Sequence, residues 1–134
     1  MSTWTHVSGC IRVDSFPFMP QPDFKKIFVK NLWDEKDEGE CNMPNGSEGS
    51  LDYRIIRNPD PDAMSAYTIA IFGDLRDFGK EDKEELVNWW NRVLNECGMI
   101  RQAVLQVIFE DSEEPLILQT GVKYEWIWYF INAN

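Results

Sequence analysis

The side chains in this sequence that could do chemistry begin with its one histidine and its three cysteines. His6 and Cys10 lie in a stretch of alternating polar and apolar residues, at positions that place both on one face of a strand. A base and a thiol on one face could form a nucleophilic pair. A satisfied surface histidine is the simpler interpretation, because the cysteines lack a paired C-x-x-C spacing and there is no nucleophile elbow. We therefore predict no catalytic residue, no metal site and no cofactor, and hence no enzyme.

A charged turn near the middle of the chain is the second place where chemistry could occur. The run from Gly73 to Lys80 resembles a phosphate loop, but its glycines are one residue too far apart, and Glu81 stands where a Ser or Thr would bind magnesium. Asp74, Arg76 and Asp77 could still hold a metal or orient a substrate. Turn and capping roles, with Arg76 bonded to a neighbouring carboxylate, are the favoured alternative.

Acidic side chains are the strongest compositional signal, because the formal net charge is −10. Such a charge disfavours direct binding to nucleic acid and favours binding to a basic protein surface, including one that normally holds nucleic acid. Solubility alone is the alternative explanation. The two densest runs are expected on exposed loops, as the partner-binding residues: Asp34, Glu35, Asp37, Glu38 and Glu40, and Glu110, Asp111, Glu113 and Glu114.

Aromatic side chains suggest an interface. Trp89 and Trp90 are adjacent on a predicted helix, so we expect at most one of them to lie squarely in the core and the other to be a half-exposed anchor. The stretch Val122 to Ile131 is apolar on both faces, which predicts a homodimer or a higher oligomer. Plain core packing is the leading single explanation of these aromatic residues, and a protein interface or stacking on a nucleobase is the alternative. The candidate interface residues are Trp90, Tyr124, Trp126, Trp128 and Phe130. Arg12, Arg54 and Arg101 are candidates for binding a nucleotide second messenger between aromatic rings.

The elements that must position these residues alternate between strand and helix patterns. Thr5 to Asp14, Leu51 to Ile55, Ala66 to Phe72 and Ile100 to Glu110 read as strands, and the middle two form a hairpin. Helices are predicted after Asp23 and from Glu81 to Cys97, with Gly98 as the stop. This order predicts an α+β fold, a ferredoxin-like βαββαβ antiparallel sheet with two helices on one face plus a C-terminal aromatic hairpin.

Length and cysteine usage set the broad class. One domain is expected over residues 1–134, with an acidic loop at 34–50 and an appended hairpin at 114–131. Cys10, Cys41 and Cys97 are scattered, and no secretory leader is seen, so we expect free thiols and a cytoplasmic location. No apolar run approaches the length of a membrane span, so no membrane partner is expected.

The segment SEGSLDYRIIRNPDPDAMSAYTIAIFGDLRD, from Ser47 to Asp77, and the opening WTHVSGCIRVDSF resemble small uncharacterised proteins of phages and prophages in Gram-positive bacteria. This resemblance brings no catalytic motif. It implies a small acidic phage protein, a class that often counters host defence. The expectation is therefore an anti-CRISPR-like inhibitor in the host cytosol, whose acidic surface mimics nucleic acid and binds a host defence protein. An oligomeric sponge for a nucleotide immune signal and a non-inhibitory assembly or accessory protein are the alternatives.

Overall fold

One antiparallel sheet dominates the computed structural model, which describes residues 2–16, 21–29 and 42–124. The strands are β1 (Trp4–Asp14), β2 (Leu51–Arg57), β3 (Ser65–Arg76), β4 (Met99–Phe109), β5 (Leu116–Thr120) and β6 (Lys123–Tyr124). The helices are α1 (Phe24–Ile27) and α2 (Lys83–Cys97), and a 3-10 turn at Lys80–Asp82 precedes α2.

The strand order is β2-β3-β1-β4-β5, with every pair antiparallel, and β6 also pairs with β4. Thr120 lies opposite Ala103 and Tyr124 lies opposite Met99, so β5 and β6 keep the same register along β4. They are one edge strand that is interrupted at Gly121 and Val122. The predicted hairpin between β2 and β3 is confirmed by their antiparallel pairing.

Period-two alternation in the three central strands decides which face of the sheet is covered. In β1, Val7 and Ile11 are buried, whereas His6 and Ser8, the two neighbours of Val7, are exposed. The buried side chains of β3 and β4 lie on that same face, because opposite residues in antiparallel strands point the same way. Helix α2 packs there, and the main core residues are Val7, Ile11, Ile69, Ile71, Leu75, Ala103, Leu105 and Val107.

Helix α2 confirms the predicted main helix. Glu84 and Glu85 lie in its first turn, where the helix dipole favours negative charge. Gly98 ends it with φ 78°, and its N–H bonds the carbonyl of Leu94 at 3.3 Å. Trp89 and Trp90 are 1% and 2% exposed, so the expectation that one of them would be a half-exposed anchor is wrong. Both rings belong to the hydrophobic core cluster, to which Ile27 of α1 and the following Phe28 also belong.

The ferredoxin-like prediction is wrong, because the fold is mostly β and has only one long helix in the described part of the chain. Asp23 does cap α1, accepting the backbone N–H of Lys25 at 3.2 Å. The helix then stops after one turn, since Phe28 leaves helical geometry at φ −108° and ψ 76° and Val29 forms a bridge with Asn42. A single turn cannot supply the second helix of a two-helix layer.

The appended C-terminal hairpin differs from the prediction in its described part. Leu116–Thr120 pairs with β4 across the turn at 110–115, and Lys123–Tyr124 continues along β4 in the same register, so the described residues do not turn back at Gly121. Residues 125–131 of the predicted hairpin lie outside the described part of the chain. An unpaired edge of β4 would expose a row of backbone donors and acceptors, and β5 covers it. In the described segments, no helix has the length and apolarity that crossing a membrane would require.

Candidate partner-binding site

Three strand ends meet at one end of the sheet, where β1 begins and β3 and β4 finish. Trp4 pairs with Arg76, and Thr5 pairs with Phe109. The chain beyond β3 is held there by the Asp77 N–H, which bonds the Thr3 carbonyl at 2.7 Å. The Thr5 hydroxyl also bonds the carbonyl of Phe78. The loop after β3 and the loop after β4 are therefore fixed side by side.

Acidic side chains from these segments gather at this end, which we call the acidic end. Most of them are exposed, and Asp82 is half-buried. The predicted run after β4 is part of it. Residues that were not predicted to bind a partner join it from the end of β3, from the residue after β3 and from the 3-10 turn before α2. The acidic end consists of Asp74, Asp77, Glu81, Asp82, Glu110, Asp111, Glu113 and Glu114.

Carboxylates from two loops converge around Gly79. A Cβ atom placed on Gly79 would lie 2.8 Å from an oxygen of Asp111 and 2.8 Å from an oxygen of Glu81. The Gly79 N–H bonds Asp82 Oδ2 at 3.0 Å, and the Lys80 N–H bonds Asp111 Oδ1 at 3.4 Å. Backbone N–H groups thus hold two of these carboxylates in fixed places.

His6 bridges two further carboxylates of the acidic end. Its Nδ1 lies 2.6 Å from Asp74 Oδ1, and its Nε2 lies 2.8 Å from Glu110 Oε2. The other oxygen of Glu110 accepts the backbone N–H of Trp4 at 3.0 Å. The imidazole therefore joins β3, β1 and the end of β4, and its ring nitrogens contact these carboxylates rather than Cys10.

This arrangement shifts the pKa values of both His6 and Glu110. The pKa of His6 is raised above its usual value, first by its hydrogen bond with Asp74 and then by that with Glu110, against a smaller opposing effect of burial. The pKa of Glu110 is lowered, chiefly by the hydrogen bond with His6 and then by that with the Trp4 backbone. When both ring nitrogens donate, the imidazole is protonated and has no lone pair left to act as a base.

Arg76 and Asp77 make local bonds that fix the chain at this end. Arg76 contacts Glu48 at 2.8 Å and bonds the Ser2 hydroxyl through Nε at 2.9 Å. Asp77 has a positive φ of 56° and accepts the Ser47 hydroxyl at 2.6 Å. These contacts fit the turn role that the sequence favoured, with Arg76 bonded to a carboxylate.

The three arginines that were grouped as a nucleotide site have different surroundings. Arg12 and Arg54 lie on the sheet face that α2 does not cover, where Arg12 bonds the Thr68 hydroxyl at 3.2 Å. Arg101 instead bonds Asp14, at 2.9 Å from NH2 and 3.3 Å from Nε. Because Arg101 is ion-paired with Asp14, it does not join Arg12 and Arg54, and the three predicted arginines do not form one site.

Asp14 is a buried carboxylate with two side-chain partners, and it was not predicted from the sequence. Its side chain is fully buried, and it accepts the Tyr124 hydroxyl as well as the Arg101 guanidinium. The pKa of Tyr124 is raised, first by burial and then by its hydrogen bond with Asp14. The signal in the sequence was a charged residue directly after a core-facing valine, and β1 indeed has a register shift between Val13 and Asp14. The cluster ties the end of β1 to β4 and β6.

The remaining predicted residues divide into two groups. Trp90 is buried and Tyr124 is half-buried against Asp14, so neither offers a free aromatic surface. The others lie outside the described residues: Asp34, Glu35, Asp37, Glu38 and Glu40, and Trp126, Trp128 and Phe130.

Comparison of the chain with protein-family models, with curated proteins and with solved structures finds no match in any of the three.

Proposed function

We propose that this chain is a non-enzymatic phage inhibitor that binds a host defence protein through the acidic end. The observation that carries the proposal is the convergence of carboxylates from β3, from the turn before α2 and from the turn after β4. The partner surface that fits them is basic, such as a groove that normally holds nucleic acid. The phage resemblance of the sequence supplies the biological setting, which is the cytosol of the infected host.

Electrostatics supports this assignment over direct nucleic-acid binding. Duplex DNA carries about one negative charge per 1.7 Å of its axis, so a dense array of fixed carboxylates offers a basic groove a comparable field. Arg76, the arginine nearest these carboxylates in the sequence, is itself paired with Glu48. Hydrogen bonds from Gly79 and Trp4 hold acidic groups in place, which limits the ordering cost on binding.

The experiment is a competition assay with purified defence effectors that bind nucleic acid, including an RNA-guided nuclease. Fluorescently labelled DNA is bound to each effector, and the protein is titrated into the complex. The proposal expects displacement of DNA from at least one effector, with an association rate that falls steeply between low and high salt. Absence of displacement from effectors that are inhibited by other acidic proteins would count against it.

A second candidate function, the nucleotide sponge, has one observation in its favour. A surface depression of about 300 Å³ is lined by Arg12, Arg57, Ser65 and Thr68, which could bind a phosphate. Of the three predicted arginines, Arg12, Arg54 and Arg101, this depression includes Arg12 alone, together with Arg57. Nucleotide released from the purified protein by heat denaturation would favour this function over inhibition by the acidic end.

A further inference from the structure

His6 holds two carboxylates of the acidic end in place. Its Nδ1 contacts Asp74 at 2.6 Å, and its Nε2 contacts Glu110 at 2.8 Å. An ionised carboxylate can only accept hydrogen bonds, so each contact requires an N–H group on the ring. Only the protonated imidazole has two such groups. The complete bridge therefore places one positive charge among the carboxylates of the acidic end.

The groups that face this imidazole come from three strands and from the segment before β2. The neighbouring positions of β1 on the same sheet face are uncharged, and the position opposite on β4 is the apolar Ile108. On β3, Asp74 lies opposite the ring. The next charged position on that face of β3 is Arg76, which is ion-paired with Glu48 at 2.8 Å. Within the described residues, the charge on the ring is therefore balanced by the two carboxylates that it contacts.

Loss of the proton from His6 breaks this bridge on one side. One ring nitrogen then presents a lone pair to a carboxylate, and that contact becomes repulsive. Glu110 has a second anchor, because its other oxygen accepts the backbone N–H of Trp4 at 3.0 Å. The Asp74 side chain is 64% exposed and makes no other hydrogen bond or ion pair with the described residues. Asp74 is therefore the carboxylate that the neutral imidazole releases.

We propose that binding of a basic partner at the acidic end is coupled to loss of the proton from His6. This coupling rests on the proposed function, because the same surface binds the partner. The protonated ring offsets one negative charge and holds Asp74 beside it. With the neutral ring, the acidic end gains one net negative charge and has a carboxylate free to bond a guanidinium of the partner. The affinity for a basic partner therefore rises with pH.

The coupling is reciprocal, as any linkage between two binding events must be. A cationic partner that prefers the neutral ring lowers the pKa of His6 in the complex. In the free protein, the pKa of His6 is raised by its hydrogen bonds with Asp74 and then Glu110, so the free ring loses its proton above pH ~6.5. His6 is the only histidine in the chain, so it alone supplies an imidazole that changes charge near neutral pH.

The test measures the affinity for an acetylated, fluorescently labelled hexa-arginine amide, whose guanidinium charges do not change with pH. Fluorescence anisotropy at low ionic strength should show binding at least about threefold tighter at pH ~8 than at pH ~6. His6→Gln keeps a side-chain donor but does not titrate, so its two affinities should agree within about 1.5-fold. The double variant His6→Gln, Gln102→His moves the imidazole beside Arg12, at the opposite end of the same sheet face, and should also lack the response.

A second measurement needs no variant. NMR of the His6 ring protons, with and without saturating peptide, should place the titration midpoint about 0.5 pH unit lower in the complex, which matches a threefold change in affinity. Equal peptide affinity at the two pH values, an undiminished response in His6→Gln, or an unshifted midpoint would overturn the coupling and leave the acidic end as the binding surface. A peptide that fails to bind at either pH would overturn the coupling and count against the proposed function as well.

Discussion

Asp14 shows at the scale of one residue how the end of the sheet is held. Its carboxylate is completely buried, yet it has an arginine and a tyrosine as partners. Removing one partner of a buried pair leaves a charge without compensation, and this is far more costly than losing a surface ion pair. The cluster therefore makes the end of β1 sensitive to single substitutions.

We expect Asp14→Ala to lower the free energy of unfolding by about 1–3 kcal/mol, because it leaves the part-buried Tyr124 hydroxyl without its acceptor, whereas the Arg101 side chain is 38% exposed and can be hydrated. Urea denaturation measures the change. Glu96→Ala, at an exposed position of α2, is the control and should stay within about 0.5 kcal/mol of the wild type. Equal stability of both variants would show that Asp14 contributes no more than a surface residue.

His6 gives a pH dependence whose sign follows from its raised pKa. Below the unfolded-state pKa of about 6.5, the charged imidazole stabilises the fold fully, and this contribution is lost as the pH rises through the folded-state pKa. The only histidine in the chain can be followed without ambiguity by NMR. Its ring protons should titrate above pH 6.5, and in Asp74→Asn this midpoint should fall. A midpoint below 6.5 in the wild type would contradict the observed bridge.

The pKa of Glu110 is lowered, so its contribution has the opposite dependence. It is present above the usual pKa of a glutamate and is lost as the pH falls through the folded-state value. The His6 bridge is therefore complete only between these two transitions, in mildly acidic to near-neutral solution. His6→Gln should lose most stability in this window and least at alkaline pH, as denaturation at several pH values would show.

At the residue scale, the sequence predicted that His6 would be a satisfied surface histidine but could not identify its partners. Asp74 and Glu110 are far from His6 in the chain, and strand register alone brings them to it. Asp14 was missed for a related reason. Its burial follows from a register shift at Val13, and regular alternation does not predict such a shift.

Helix α2 is the element with the largest buried side chains, and it has one polar defect. The indole Nε1 of Trp89 is buried and has no hydrogen-bond partner among the residues that the structure describes. An unmade hydrogen bond of this kind costs about 1–3 kcal/mol, whereas the ring itself contributes strongly through burial. The helix therefore keeps Trp89 for its volume and not for its N–H group.

We expect Trp89→Phe to change the free energy of unfolding by less than about 1.5 kcal/mol, because relief of the unpaired N–H offsets the smaller ring. Trp89→Ala should cost about 3–5 kcal/mol through the cavity that it leaves. Urea denaturation of both variants distinguishes the two effects. Should both substitutions prove equally damaging, the indole N–H would have a role that the packing does not reveal.

The main strands and α2 could be predicted because each has a long, unbroken period. The first helix could not, because Phe24, Ile27 and Phe28 have helical spacing over too short a stretch to exclude a single turn. The edge strand was misassigned for a physical reason as well. Leu116–Thr120 has no sequence feature that distinguishes pairing with the preceding strand from pairing with the following one.

At the scale of the whole molecule, charge is separated along the strands. The acidic end lies where β1 begins, and Arg12, Arg54 and Arg57 lie towards the other end of the sheet. Composition predicted the net negative charge, and the run from Glu110 to Glu114 was predicted to be exposed, as it is. The gathering of Asp74 and Glu81 beside that run depends on tertiary structure, so composition could not reveal it.

The proposed function requires that the acidic end, and not the net charge alone, binds the partner. Two triple variants, each with three charges fewer, distinguish these cases in the DNA-displacement assay. One neutralises the acidic end, by Asp111→Asn, Glu113→Gln and Glu114→Gln. The matched control neutralises exposed acids at the opposite end, by Asp60→Asn, Asp62→Asn and Glu96→Gln.

We expect that at least tenfold more of the acidic-end variant is needed to displace DNA, and that this variant loses most of the salt dependence of its association rate. The control should stay within about twofold of the wild type. Equal losses of DNA displacement in the two variants would mean that the total charge acts without a defined site. Undiminished displacement by the acidic-end variant would contradict binding through the acidic end.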